Sequence, residues 1–111
     1  TVVFTTGKIY YELLERRNKL SRKDVAFIRV EQLFPFPAET IRKIIYDNPQ
    51  SVRFLWVQDE PANMGAWPFI SRKFPELKLE LVSRPESASP AAGLLEKHKR
   101  RLERILEVVF S

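Results

Sequence analysis

The sequence contains no cysteine, one histidine and one methionine among its 111 residues. The absence of cysteine excludes disulfides, thiolate metal sites and a cysteine nucleophile, and it suits a reducing compartment. Because His98 is the only histidine, a metal site would need carboxylates, and a serine hydrolase would need this one base. The adjacent pair Asp59 and Glu60 lies in a predicted turn, where neighbouring side chains usually point apart. We therefore expect no metal site and no catalytic residue in this chain.

The chain also lacks any apolar run near the roughly 20 residues that cross a bilayer, and it shows no signal peptide. We expect no membrane partner. Hydrophobic residues make up 44% and charged residues 30%, which is typical of a globular protein, and the length fits a single domain over residues 1–111. The chain opens on Thr1 directly before an apolar run, which favours a domain taken from a longer chain.

Glycine is scarce, with three residues in all. Gly7 lies between an apolar run and a helical pattern, where backbone amides can hold a phosphate. A single glycine makes this turn neither a dinucleotide fingerprint nor the phosphate loop of nucleotide hydrolases, since both need several. The turn is a weak signal for an anion.

The net charge is +5, and five of the 19 cations fall between Lys97 and Arg104. The pairs Glu96 with Arg100 and Lys99 with Glu103 have i,i+4 spacing, which is typical of the solvated face of a helix. We expect no nucleic-acid partner, and we keep nucleic-acid binding through this cluster as an alternative.

Short apolar runs alternate with helical patterns along the chain. Strands are predicted at 2–5, 25–28, 54–57 and 77–82, and helices at 8–20, from 37 to 48, at 67–74 and from about 94 to 109. Polar segments at 58–63 and 86–90 are predicted as a turn and a loop. This alternation predicts an α/β fold with three layers, in which helices cover both faces of a mostly parallel sheet.

Two helical stripes depend on particular residues. Ile9, Leu13 and Leu20 define the apolar side of the first helix. His98 lies between Leu94 and Leu102 on the apolar side of the last helix, which favours a packed or interface histidine over a catalytic one. Trp56 and Trp67 are interpreted as core or interface anchors.

Cationic residues follow three of the predicted strands. The carboxyl ends of parallel strands meet at one edge of a sheet, where ligands bind. Lys8, Arg29 and Arg84 should therefore converge there, and such cations suit an anionic effector or the carboxylate of a partner. Ordinary surface charge is the alternative.

Several segments together resemble one family, and the match runs from end to end. They are TGKIYY (6–11), RVEQLFPFP (29–37), WVQDEPANMGAW (56–67), and RP with SASPAAG (84–85 and 87–93), followed by His98. They resemble the C-terminal domain of the first, decarboxylating component of the 2-oxoglutarate dehydrogenase complex. The related 2-oxoadipate dehydrogenases share much of this pattern.

The resemblance implies a transketolase C-terminal-like fold, with a mostly parallel sheet of about five strands. It also implies a parent enzyme of the tricarboxylic acid cycle, in the bacterial cytoplasm or mitochondrial matrix. That enzyme decarboxylates 2-oxoglutarate and passes the succinyl group to a lipoyl arm of the dihydrolipoyl succinyltransferase component. Thiamin diphosphate and magnesium bind in other domains of the parent, at a dimer interface, and this chain carries none of that signature.

The resemblance further implies a role in building the homodimer and, in some members, a nearby nucleotide or acetyl-coenzyme A effector. On this basis Lys8, Arg29, Gln58 and Arg84 are the candidate effector-binding residues. A free-standing binding module for an anionic metabolite, either a nucleotide or an acyl-coenzyme A, is the alternative function.

Overall fold

The computed structural model describes residues 1–50, 53–84 and 95–111, with side chains in the last range from residue 98 onward. Strands and helices alternate through these residues. The elements are β1 (Val2–Thr5), α1 (Ile9–Leu20), β2 (Ala26–Arg29), α2 (Ala38–Asp47), β3 (Phe54–Pro61), α3 (Trp67–Lys73), a 3-10 turn (Pro75–Leu77), β4 (Glu80–Arg84) and α4 (Leu95–Val109). Within the described residues, no helix is long and apolar enough to cross a membrane.

The strands form one sheet in the order β2-β1-β3-β4, and every pair is parallel. Each connection is therefore a crossover, which places a helix against a face of the sheet. The predicted α/β fold with a mostly parallel sheet is confirmed. The described residues contain four strands, one fewer than the approximate prediction of five.

The two central strands are buried on both faces. Val3 and Leu55 point to one side of the sheet, and Phe4 and Trp56 point to the other, and all four are fully buried. Strands covered on both sides are expected to be continuously apolar, as the sequences VVFT and FLWV are. This pattern requires a helical layer on each face.

Two helices cover each face of the sheet. Leu13 of α1 and Ile105 of α4 pack with Val3 and Leu55, and we call this side the α1/α4 face. Ile41 of α2 and Ile70 of α3 belong to the core on the other side, which we call the α2/α3 face. The result is three layers of secondary structure.

The predicted turn at 58–63 is wrong over most of its length, because β3 continues to Pro61. Its polar residues suggested a turn, but Gln58 is buried within the strand. The pairing with β4 shifts register between Val57 and Pro61, which lets the strand extend past the end of the regular ladder.

The predicted strand at 77–82 begins too early. Leu77 instead ends the 3-10 turn that starts at Pro75, and Lys78 has a φ of +53°. A residue in the left-handed region interrupts an extended strand, so β4 begins only at Glu80. The prediction that this strand lies at an edge of the sheet is confirmed.

Two residues assigned to apolar helix stripes face solvent. Leu20 is 47% exposed at the end of α1, beyond the last turn that reaches the sheet. His98 is also exposed, so it is not packed in the core of this domain, and its interpretation as an interface histidine stays a prediction. The predicted loop at 86–90, the segment 87–93 and Leu94 lie outside the described residues.

Leu13 and Leu20 provide a matched test of which residues of α1 support the fold. We expect Leu13→Ala to lower the free energy of unfolding by about 2–5 kcal/mol, because it removes a fully buried side chain and leaves a cavity. Leu20→Ala should change it by less than about 0.5 kcal/mol. Urea denaturation followed by circular dichroism gives both values, and equal losses would contradict this packing.

Candidate functional site

The four predicted effector residues lie at the carboxyl ends of the four strands. Arg29 ends β2 and Arg84 ends β4, while Lys8 follows β1 and Gln58 lies in the last half of β3. Thr5 is in register with both Arg29 and Val57, so the first three strands reach this edge at the same level. The topology therefore brings all four residues to one edge, which we call the carboxyl rim.

Lys8 lines a hollow of about 310 Å³ on the α1/α4 side of the rim. Glu12 of α1, Asp59 of β3 and His98 of α4 supply its other polar side chains, and the remaining lining residues are Ile9 and Leu102. Among the described residues, the side chains of Lys8, Glu12 and His98 have no hydrogen-bond partner. These groups are available to a ligand.

Arg84 approaches this hollow through Asp59. Its Nε atom donates to the Asp59 carbonyl oxygen at 2.5 Å and lies 3.8 Å from the Asp59 carboxylate. The arginine therefore holds the extended end of β3 against β4. It also partly neutralises the carboxylate that lines the hollow.

Arg29 belongs to a separate group at the outer edge of the rim. Its guanidinium lies 5.4 Å and 5.2 Å from the ring centroids of Tyr10 and Tyr11, and it donates to the Tyr11 hydroxyl at 3.1 Å. Glu31 is 3.8 Å away. The first turn of α1 thus connects two groups, since it carries both tyrosines and the hollow residue Glu12.

A charged pair fixes the two helices that flank the hollow. Arg16, one turn after Glu12, donates Nη1 and Nη2 to the two carboxylate oxygens of Glu103 at 2.8 Å and 2.5 Å. Such two-bond contacts restrict geometry as well as adding attraction. The hydrogen bond from Arg16 lowers the pKa of the Glu103 carboxyl below its usual value. The pair joins α1 to α4 beside the hollow.

Gln58 differs from the other three predicted residues because it lies on the α2/α3 side and is buried. Its Oε1 atom accepts from the Trp56 indole at 3.0 Å and from the Trp67 backbone at 3.1 Å. Its Nε2 atom donates to the carbonyls of Glu60, Pro61 and Met64 at 2.9–3.1 Å. The amide therefore ties the end of β3 to the start of α3.

The turn between β3 and α3 contains a glycine in the left-handed region of the backbone. Gly65 has a φ of +67°, and a Cβ atom there would lie 2.5 Å from Oε2 of Glu60 and 3.2 Å from Oε1 of Gln58. The positive φ favours glycine, whereas the Glu60 carboxylate is the end of a flexible side chain and can move aside. The hydrogen bonds of Gln58 and this turn at Gly65 hold segment 58–67, from the end of β3 to the start of α3, in one arrangement at the rim.

Comparison with known proteins gives a match along the whole length. The family described as "2-oxoglutarate dehydrogenase C-terminal" matches residues 1–110. The chain belongs to this family. It is 42% identical over 99% of its length to the "2-oxoglutarate dehydrogenase E1 component" of Haemophilus influenzae, and 41% identical over 99% to the "2-oxoadipate dehydrogenase complex component E1" of Danio rerio. It spans 12% of each relative.

A solved structure supports the fold of this 2-oxoglutarate dehydrogenase C-terminal family member. A split-gene transketolase, described as an inactive beta4 tetramer, superposes with a TM-score of 0.57 at 14% identity. The match covers 98% of this chain and 37% of that one. At this identity the likeness concerns the fold alone, and it agrees with the predicted transketolase-like architecture.

Sequence reasoning for this family member missed three residues of the hollow. Glu12 was within reach, because it lies four residues after Lys8 and so on the same side of α1. Asp59 was assigned to a turn, and its direction became clear only with the length of β3. His98 reaches the hollow through the packing of α4, which spacing along the chain does not specify.

The residues that the structure describes offer no grouped ligands for the magnesium that accompanies thiamin diphosphate. Among the described residues no three histidine or acidic side chains are grouped as metal ligands. The turn at Gly7 provides only one glycine for a diphosphate to approach.

We expect Gln58→Glu to lower the free energy of unfolding by at least about 2 kcal/mol. A carboxylate cannot donate to the carbonyls of Glu60 and Met64, whereas the Pro61 carbonyl still accepts from the Met64 amide, and each unpaired polar group costs about 1–3 kcal/mol. Gln32→Glu is the matched control, because Gln32 is exposed and donates one bond, to Phe34. It should lose less than about 1 kcal/mol. Similar urea midpoints for the two variants would refute the structural role of Gln58.

Proposed function

We propose that this chain is the C-terminal domain of a thiamin diphosphate-dependent 2-oxoacid dehydrogenase that acts on 2-oxoglutarate. The observation that carries the proposal is the family match over residues 1–110. Relatives from Haemophilus influenzae and Cupriavidus necator, at 42% and 38% identity, are both named 2-oxoglutarate dehydrogenase E1 component. Both are about eight times longer than this chain.

In this proposal the chemistry takes place outside the domain. Other parts of the parent hold thiamin diphosphate and magnesium, decarboxylate the 2-oxoacid and pass succinyl to the lipoyl group of a succinyltransferase component. The domain itself packs against other parts of the parent enzyme and binds an effector. Two features support this division of roles. The residues that line the hollow include no cysteine or serine nucleophile, and the turn at Gly7 lacks the several glycines of a phosphate-binding loop.

Calorimetric titration tests this division directly. We expect no heat of binding when thiamin diphosphate with magnesium is added to this chain at concentrations up to about 1 mM, the upper end of ordinary cellular affinities. The parent enzyme that contains the chain should bind the cofactor and turn over 2-oxoglutarate. Micromolar binding to these 111 residues alone would overturn the proposal.

We also propose that the Lys8 hollow binds an anionic effector, such as a nucleotide or acetyl-coenzyme A. Its volume of about 310 Å³ is at the lower end of the range of small-molecule sites. Lys8 and His98 can meet phosphate oxygens, while Glu12 and Asp59 can accept hydrogen bonds from ribose hydroxyls. The four groups are supplied by three separate elements, which is typical of a shaped site.

Arg29 and Arg84 have different parts in the proposed effector site. Arg84 fixes the position of Asp59 by donating a hydrogen bond to its backbone carbonyl. Arg29, stacked on Tyr10 and Tyr11, provides a second cationic platform at the same end of α1. A ligand longer than the hollow can extend from Lys8 toward this platform. Gln58 supports the rim from the opposite face.

Thermal denaturation with AMP or acetyl-coenzyme A tests this site. A ligand at one hundred times its dissociation constant should stabilise the chain by about 2.7 kcal/mol. We expect Lys8→Ala and His98→Ala to remove this stabilisation, and Lys43→Ala on α2 to leave it unchanged. Loss on Arg29→Ala alone would place the ligand on the tyrosine platform instead. No stabilisation by either ligand would refute the effector proposal.

The domain is further proposed to pack against other domains of its parent and to take part in a homodimer, in the bacterial cytoplasm or mitochondrial matrix. Exposed apolar side chains at the carboxyl rim support a packing role. Phe34 is 71% exposed although its ring lies 5.1 Å from that of Phe69, and Met64 is 56% exposed. Exposed apolar side chains at this end of the sheet provide area that a neighbouring domain can cover.

A second candidate substrate is 2-oxoadipate, because the Danio rerio relative named for it is 41% identical to this chain. Residues in other domains would decide between the two acids. The ratio of kcat/KM for 2-oxoglutarate and 2-oxoadipate in the parent enzyme separates them. The proposed assignment requires the larger value for 2-oxoglutarate.

A further inference from the structure

We propose that a second hollow, at the opposite edge of the sheet, binds carboxylate side chains of an acidic segment in a partner protein. The hollow measures about 450 Å³ and lies between the end of α1 and the start of β2. It is lined by Arg17, Asn18, Ser21, Arg22, Lys23 and Val25. Three of these residues are cationic, and none is acidic.

Both arginines are held in fixed positions by the protein. Arg17 donates Nη1 to the Val25 carbonyl at 3.2 Å and lies 4.9 Å from the centre of the Phe27 ring. Arg22 donates Nη1 to the Phe110 carbonyl at 2.6 Å and lies 6.0 Å from the centre of that ring. Preset guanidinium groups lose less entropy when a carboxylate binds.

The hollow keeps positive charge that the protein does not neutralise. Asp24 is paired with Arg22, whose hydrogen bonds lower the pKa of the Asp24 carboxyl to about 2. Within the described residues, Arg17 and Lys23 have no acidic partner. Nε and Nη2 of Arg17 and the ammonium of Lys23 therefore remain as donors for an external anion.

The backbone favours carboxylates over a phosphate. Phosphate sites commonly use free amides at the start of a helix, whereas this hollow is at the end of α1. The Arg17 and Asn18 carbonyls accept from the amides of Ser21 and Arg22, so those amides are used internally. What remains is a planar guanidinium fork, which can hold a carboxylate by two hydrogen bonds without backbone amides, and one lysine.

The open shape of the hollow indicates a macromolecular partner. A small ligand usually has most of its surface covered by its site. Here only one helix end and one loop surround the space, so a free metabolite would stay largely in water. An acidic segment can place one carboxylate against Arg17 and a neighbouring one against Lys23 while the rest of the chain lies on the surface.

This site is independent of the proposed effector hollow. The two lie at opposite ends of α1, whose 12 residues span about 18 Å. No side chain lines both hollows. Substitutions at the basic hollow can therefore be tested without changing the carboxyl rim, and either proposal can fail alone.

A fluorescein-labelled hexaglutamate peptide provides the test, with binding followed by fluorescence anisotropy at about 20 mM salt. We expect saturable binding to the protein that Lys23→Glu weakens at least about tenfold. Lys43→Glu, which makes the same charge change on exposed α2, should weaken it less than about twofold. Arg17→Lys, which keeps the charge but removes the fork, should weaken it more than twofold. Urea midpoints confirm that each variant folds, and Lys23→Gln replaces Lys23→Glu if that variant does not.

Three results would overturn the proposal. Equal weakening by Lys23→Glu and Lys43→Glu would show that the peptide senses only net charge. Absence of saturable binding at low salt would remove the site altogether. Tighter binding of inorganic pyrophosphate than of the peptide, lost on Lys23→Glu, would assign the hollow to a small phosphate ligand instead of an acidic protein segment.

Discussion

The structure depends on two central strands, β1 and β3, that are covered on both faces. Val3, Phe4, Leu55 and Trp56 leave no polar side to face water, so each crossover must supply a helix to one side or the other. The parallel direction follows from those crossovers. It also brings the ends of all four strands to one edge, which is how residues distant in the sequence come to share the carboxyl rim.

Within this apolar layer, Gln58 is the one large polar side chain among the buried residues described, and its amide makes five hydrogen bonds. Burial of an amide is tolerated when its donors and acceptors are satisfied. Four of its five partners are backbone atoms of residues 60–67, from the end of β3 to the start of α3. Because its groups are paired, the buried amide stabilises the connection between β3 and α3.

The sequence predicts the alternation of elements well, because the apolar runs of β1 and β3 and the stripe around Leu13 have clear periodicity. It predicts their ends poorly. The alternation of Leu77, Leu79 and Leu81 predicts a strand that begins at Leu77. The chain turns there instead, because Lys78 takes a left-handed conformation that a lysine in the sequence does not predict. Gln58 illustrates the opposite error, in which a polar residue suggests a turn while its partners hold a strand.

For the candidate site, too, the sequence predicts the general location but not the detailed arrangement. Lys8, Arg29 and Arg84 lie at one rim because the strands that precede them are parallel, and the alternation of strands and helices predicts this. Which of them share a hollow depends on where the side chains point. Arg29 turns toward Tyr10 and Tyr11, and His98 arrives from the last helix. These placements arise from packing between layers, which spacing along the chain does not encode.

The hydrogen bonds within segment 58–67, which runs from the end of β3 to the start of α3, have a practical consequence for labelling the protein. Surface connections between a strand and a helix are ordinarily good places for an inserted tag or a fluorescent reporter. Here three carbonyls are held by one amide, and the space beside Gly65 is filled by Glu60, so an insertion would separate groups that stabilise the rim. The exposed outer side of α2, around Lys43 and Tyr46, is a better attachment point for a probe.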